Sequence, residues 1–180
     1  MPNQQNDDLL INRILTGDKG AFRVLVERYQ NLVFTIAFRI TNNREEAEEV
    51  AQDVFMKVYN NLGGFKGDSK FSSWLYRIAH NTGLTKIRGR KEEHKQIDTT
   101  TDYYAGPSVL NEAEQSFTKA DLNKAISMLE PEEATIITLF YLSEQSLDEI
   151  AEILNIEPNA AKVRLFRSRK KLREKMELIS

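Results

Sequence analysis

The chain has 180 residues, no cysteine, and 41% hydrophobic against 29% charged residues; this allows two compact cores, excludes wholesale disorder, and excludes disulfides and thiolate metal sites. The net charge of −2 hides an asymmetry: from Pro158 to Ser180 eight cations face two carboxylates, so this tail is +6 and the remainder −8. That pattern fits a polyanion partner at one end and a different partner elsewhere, or merely a solvated helix end. Met1 to Asp8 is polar and acidic, and no apolar run approaches the roughly 20 residues of a spanning helix. The expectation is a soluble cytoplasmic protein.

Apolar residues recur at three- and four-residue steps almost throughout, which predicts helices. Leu9, Ile11, Ile14 and Leu15 mark a short first one, broken at Thr16-Gly17-Asp18, with Asp18 placed to cap a second helix. Ala21, Phe22, Leu25, Val26, Tyr29, Leu32, Val33, Ile36, Ala37 and Ile40 then mark that helix as long and amphipathic. Asn42-Asn43 ends it, and Asn43 with Glu46 makes a capping-box-like start for the next. That helix buries Ala47, Val50, Ala51, Val54, Phe55, Val58 and Leu62 and stops at Gly63-Gly64. Phe65-Lys66-Gly67-Asp68-Ser69 is a loop. A helix from near Lys70 carries Phe71, Trp74, Leu75, Ile78, Ala79 and Thr82 on one face and runs into Lys86, Arg88, Arg90 and Lys91. From Gln96 to Asn111 there is little to bury, and Gly106-Pro107 breaks any helix, which predicts a flexible linker. Helical period resumes with Phe117, Leu122, Ala125, Ile126 and Leu129, and Pro131 opens another helix through Ile136, Ile137, Phe140 and Tyr141. There is no strand pattern and no internal repeat. The fold class is all-α: two small helical domains, 8–95 and 113–178, joined by a linker at 96–112.

Ser146-Leu147-Asp148-Glu149 is a second capping box, opening a short helix with Ile150, Ala151 and Leu154 inward. Asn155 tolerates a left-handed turn, Ile156 can plug the core beneath it, and Pro158 begins a basic helix. Together these describe a helix-turn-helix. At 100° per residue, Ala161, Leu165, Ser168 and Leu172 form the inward stripe of the second helix, and Lys162, Val163, Phe166, Arg167 and Lys170 fall opposite. A phenylalanine among outward cations can touch a thymine methyl in a major groove while the cations hold phosphates or base edges. Alternatively, Phe166 packs on a neighbouring helix and the cations are solvated.

In the first domain, Trp74 and Asn81 are seven residues apart and share a stripe, with Arg77 beside them. Phe65, Phe71 and Tyr76 add aromatic surface, and Lys66, Lys70, Lys86 and Arg88 surround it. Aromatics interleaved with cations and an amide suit single-stranded nucleic acid: bases stack, phosphates pair, and the amide reads a base edge. The plainer alternative makes Phe71 and Trp74 core. Glu45, Glu46, Glu48, Glu49 and Asp53 would repel DNA; they stabilise a helix N-terminus or, with Gln52 and the neighbouring Phe55 and Met56, form a docking face for a basic protein surface.

These residues resemble the extracytoplasmic-function sigma factors, the smallest members of the main bacterial sigma factor family. The motifs are Gly17-Asp18-x-x-Ala21-Phe22-x-x-Leu25-Val26-x-Arg28-Tyr29, then Glu49-x-x-Gln52-Asp53-x-Phe55. Phe65-Lys66-Gly67-Asp68-Ser69-x-Phe71-x-x-Trp74-Leu75-Tyr76-Arg77-Ile78-Ala79-x-Asn81-Thr82 and Val163-Arg164-Leu165-Phe166-Arg167-Ser168-Arg169 complete the set. Each is loose singly and specific in this order. The resemblance implies a transcription initiation factor that docks on core RNA polymerase through Glu49, Gln52, Asp53 and Phe55. It implies capture of a flipped base of the melted, single-stranded −10 promoter element by Phe65, Gly67, Asp68, Ser69 and Asn81, with Trp74, Arg77, Lys86 and Arg88 around them. It further implies reading of the duplex −35 element by Lys162, Val163, Phe166 and Arg167, joined by Lys170. A linker lying in the polymerase's basic channel, where Asp98 and Asp102 fit, and an anti-sigma partner are implied as well.

Three positions depart from the family's pattern. Gly83 and Gly89 interrupt a firm helix, each costing up to about 1 kcal/mol, which predicts fraying after Thr82; Gln145 stands where glycine is frequent. An enzyme is the alternative of another class, but His80 and His94 are the only histidines, and Gly63 to Lys70 lacks the Gly-Lys of a P-loop. No catalytic residue, metal, cofactor or small-molecule substrate is therefore expected. The remaining alternative is a two-domain helix-turn-helix repressor or activator that binds duplex DNA without polymerase.

Overall fold

A computed structural model describes residues 4–94 and 118–179. The expected linker, with Asp98 and Asp102, lies outside the described residues, as does Phe117. Eight α-helices and no strand are found among the described residues: α1 (Gln4–Leu15), α2 (Lys19–Thr41), α3 (Arg44–Asn61), α4 (Phe71–His94), α5 (Lys119–Ser127), α6 (Pro131–Tyr141), α7 (Leu147–Leu154) and α8 (Pro158–Glu177). A 3₁₀ turn, Leu62–Gly64, follows α3.

Local chemistry sets most boundaries. The Asp18 carboxylate accepts the Ala21 N–H at the start of α2, and Arg13 holds that carboxyl below its usual range. Asn42 ends α2 in the left-handed conformation, φ 51°, its N–H donating to Phe38 O; Asn43 then caps α3 by accepting the Glu46 N–H. Glu46 does not complete a reciprocal box, because its carboxylate is taken by Arg90 at 3.1 Å.

α1 to α4 form the first unit. Tyr29 of α2 is its centre, with the rings of Phe71 and Tyr76 at 5.6 and 6.3 Å. Its hydroxyl donates to Asp7 at 2.6 Å, and Arg28 also bonds that carboxylate, pinning α1 to α2. Burial, reinforced by Asp7, pushes the Tyr29 phenol far above its ordinary range. On α1, Leu10, Ile11 and Ile14 turn inward, whereas Leu9 and Leu15 of the expected stripe are exposed.

The expected fraying after Thr82 does not occur: α4 runs on to His94. At Gly83 a Cβ would lie 2.9 Å from Ile40 Cδ1 and 3.1 Å from its Cγ2. The glycine marks the close approach of α4 to α2, and the packing gained there outweighs the backbone entropy lost.

α5 to α8 form the second unit, and it is packed against the first. α6 lies on α2 and α7 on α4, and one apolar core runs through both units. Polar bridges cross the contact: Arg39 donates to Asn123 at 2.6 Å and the Ser73 hydroxyl to Gln145 at 3.2 Å. His80 is buried there; the Asn81 side chain approaches it short of a well-formed hydrogen bond, and neither ring nitrogen has a partner among the described residues. Gln145 has a structural part of its own in this turn. The left-handed residue of that turn is Glu144, φ 50°, where a glycine would be eased, whereas Gln145 is a buried hydrogen-bonding side chain.

Candidate nucleic-acid interfaces

The capping box of α7 forms in both directions: the Ser146 hydroxyl accepts the Glu149 N–H, and the Glu149 carboxylate accepts the Ser146 N–H at 2.8 Å. Asn155 closes α7 at φ 53°, and the Ile156 N–H returns to Ala151 O at 2.9 Å. With α7 so ended and Pro158 at the first turn of α8, the two helices make the tight corner of a helix-turn-helix.

α8 sorts its side chains by face. Ala161, Leu165 and Ser168 are buried, while Lys162, Val163, Phe166, Arg167 and Lys170 are all exposed. Phe166 is 71% exposed and so packs on no neighbouring helix. Three flanking cations are used internally: Arg164 pairs with Glu132 at 2.7 Å, Lys171 pairs with Glu133, and Arg169 lies over the Tyr141 ring. Glu133 raises the Lys171 ammonium above its ordinary value. Lys162, Arg167 and Lys170 have no carboxylate partner among the described residues. With Phe166 they make a compact cationic face around one aromatic ring, with the charge and shape a major groove accepts.

On the first unit, Phe65 packs over Phe71 and Trp74, with ring centroids 5.7 and 5.3 Å away. Phe71 is core, whereas Phe65 and Trp74 keep part of their surface open. Gly67 takes φ 77°, which glycine adopts at little cost, and the exposed Asp68 and half-buried Ser69 follow it before α4 begins. Lys70, Trp74, Arg77, Asn81 and Arg88 fall within about 60° of one another around α4. Asn81 and Arg88 are exposed. Lys86 does not join them. It lies about 140° round the helix from Asn81 and pairs with Glu49 of α3, which raises its ammonium above the ordinary value.

The acidic face of α3 borders an apolar groove that periodicity alone does not disclose. The groove measures about 570 Å³ and is lined by Lys19, Phe22 and Val26 of α2 and by Gln52, Phe55, Met56 and Tyr59 of α3. Phe22 and Tyr59 meet edge to face at 4.9 Å and form its wall. Gln52 and Asp53 are exposed beside it, and Phe55 is half-buried in it. Phe22 and Val26 belong to the inward repeat of α2 by spacing; the exposed Met56 next to Phe55 is the one hint of a groove in the sequence.

The Sigma-70 region 2 family matches residues 25–93, and the Sigma-70 region 4 family matches residues 119–172. The RNA polymerase sigma-H factor of Pseudomonas aeruginosa is 32% identical over 94% of this chain and 93% of its own. The chain belongs to the ECF sigma factors. The ECF RNA polymerase sigma factor SigW of Bacillus subtilis is likewise 32% identical, over 92% of this chain and 94% of its own. Two solved structures share the fold. One is the sigma factor RpoE in complex with the anti-sigma factor NepR from Bartonella quintana, with TM-score 0.73 and 23% identity over 87% of this chain and 96% of that one. The other is CnrH in complex with the cytosolic domain of CnrY, with TM-score 0.70 and 21% identity over 97% and 99%. In this sigma factor, region 2 therefore carries the aromatic stripe and most of the groove, and region 4 carries the helix-turn-helix. No helix among the described residues is long and apolar enough to cross a membrane.

Proposed function

We propose that this sigma factor brings core RNA polymerase to particular promoters from the cytoplasm and helps hold the −10 region open, contributing no bond-making chemistry itself. Region 2, within residues 8–95, docks on polymerase through the groove beside Glu49, Gln52, Asp53 and Phe55. It receives one flipped base of the opened strand at Phe65, Gly67, Asp68, Ser69 and Asn81, with Trp74, Arg77 and Arg88 alongside. Capture of that base offsets an unstacking cost of a few kcal/mol. Lys86, held by Glu49, positions α3 against α4 and meets the strand only if that pair opens. Residues 113–178 seat α8 in the −35 major groove through Lys162, Val163, Phe166, Arg167 and Lys170, and residues 96–112 span the two sites inside polymerase. An anti-sigma partner belongs to this reading, since the RpoE and CnrH structures are complexes with NepR and CnrY.

The observation that carries the reading is the outward face of α8, where Phe166 is 71% exposed among cations left unpaired while Arg164 and Lys171 are held by carboxylates. Run-off transcription with core polymerase across a promoter library, with and without this protein, tests it. A subset of promoters should fire only in its presence. Absence of association with core polymerase, combined with tight binding to a palindromic duplex, would instead favour a repressor or activator.

A further inference from the structure

α7 meets α4 through charges as well as packing. Lys70 Nζ lies 2.6 Å from Glu149 Oε1, and Arg77 Nη2 lies 2.5 Å from Glu152 Oε1. The Ser73–Gln145 hydrogen bond adds a buried polar contact at the same junction. α4 carries a small residue at this approach, Ser73, which is fully buried. Burial pushes the Glu149 carboxyl up, but hydrogen bonds from Lys70 and the Ser146 N–H outweigh it and hold the group ionised below its ordinary range. Lys70 and Arg77 also flank Trp74 and Asn81 on the stripe proposed for the opened strand. A carboxylate offers an ammonium or guanidinium the same anionic oxygens as a phosphate. One cation cannot serve both at full strength.

We infer that α7 is an internal stand-in for nucleic acid: Glu149 and Glu152 occupy Lys70 and Arg77, and strand binding by α4 requires α7 to withdraw. The inference rests on the reading of α4 as a strand-binding surface. Closure also sets two negative charges beside the stripe, which repel an approaching phosphate chain. Each pair is partly exposed, so each biases the balance by about fivefold at most, an amount that binding to polymerase can reverse.

The chain contains no cysteine, so Gln30→Cys on α2 and Glu174→Cys on α8, both exposed, will take spin labels without side reaction. The free chain should give one narrow distance that lengthens on addition of core RNA polymerase. The double variant Glu149→Gln/Glu152→Gln, which keeps an oxygen for the Ser146 N–H, should show a long-distance population without polymerase. It should also bind a fluorescent single-stranded oligodeoxynucleotide of mixed sequence about three- to twentyfold more tightly. Asp148→Asn/Glu157→Gln, an equal charge change, should bind as the unmodified chain does. A free chain already spread over long distances overturns closure, and a Glu149→Gln/Glu152→Gln chain that stays narrow overturns the latch. A variant that opens yet gains no strand affinity overturns the inhibitory role. If Trp74→Ala then also leaves strand binding by the opened chain unchanged, the error lies in the reading of α4 itself.

Discussion

Gly83→Ala and Gly89→Ala make the same change in the same helix, six residues apart, and should move stability in opposite directions. In an unhindered helix interior, Gly→Ala gains about 0.8–1 kcal/mol, because alanine has less backbone freedom to lose. Nothing lies within 4 Å of a Cβ added at Gly89, so most of that gain should appear there. At Gly83 the added Cβ meets Ile40 Cδ1 at 2.9 Å, Cγ2 at 3.1 Å and Cβ at 3.3 Å. Cδ1 can swing aside. Cγ2 and Cβ belong to a β-branched stem that a helix holds near one rotamer, so α4 must move away from α2 along a buried contact. Overpacking of that kind costs about 1–3 kcal/mol, which offsets the propensity gain and leaves a net loss of about 1 kcal/mol. Urea unfolding followed by far-ultraviolet circular dichroism reads both variants. Ile40→Val removes Cδ1 and keeps the stem, so it should restore only part of the loss in the Gly83→Ala background. Midpoints that shift the same way for both glycines would refute the claim that Gly83 sets the spacing of α4 and α2.

Arg167→Ala should weaken promoter recognition by roughly 1–3 kcal/mol while leaving core polymerase binding intact; an equal loss on every promoter sequence, measured by run-off competition, would reduce Arg167 to a phosphate contact. Phe166→Ala should leave the unfolding midpoint within about 0.5 kcal/mol of the parent, because the ring is 71% exposed, yet alter preference at one −35 position. Asn81→Ala should slow open-complex formation on duplex templates and change preference at one −10 base, and potassium permanganate footprints with unchanged preference would remove it from the base pocket. His80 predicts a pH effect. Burial depresses its pKa below 6.5 against the pull of Glu132 on α6 and with the push of Arg164 on α8 and Arg88 on α4. The packed state therefore binds this proton less readily than an opened one. Its stability is full above pH 6.5 and falls, by up to about 1.4 kcal/mol per pH unit, as pH drops from there toward the depressed value. His80→Gln should flatten that part of the profile, and an unchanged slope between parent and variant would exclude the histidine.

Capping and turn chemistry act within a few residues, so much of the secondary structure is legible from sequence: Asp18 and Ser146 start their helices, and Asn155 turns the chain. The face of α8 is equally legible, because 100° per residue separates Ala161, Leu165 and Ser168 from Phe166 and Arg167 whatever surrounds them. Periodicity reports that a face is buried but not what buries it. Gly83 therefore reads as a weak point in a helix until Ile40 is found against it, and Lys86 reads with the aromatic stripe until Glu49 claims it. The groove of Phe22, Phe55 and Tyr59 depends on how two amphipathic helices meet, which their separate patterns leave open. The same holds for Ser73 with Gln145 and for Arg77 with Glu152, residues more than 70 positions apart in the chain. Local hydrogen bonding and helical period sufficed for the elements and their polar faces; the partners of each face came from side-chain shape and charge meeting across the fold, which a one-dimensional pattern does not encode.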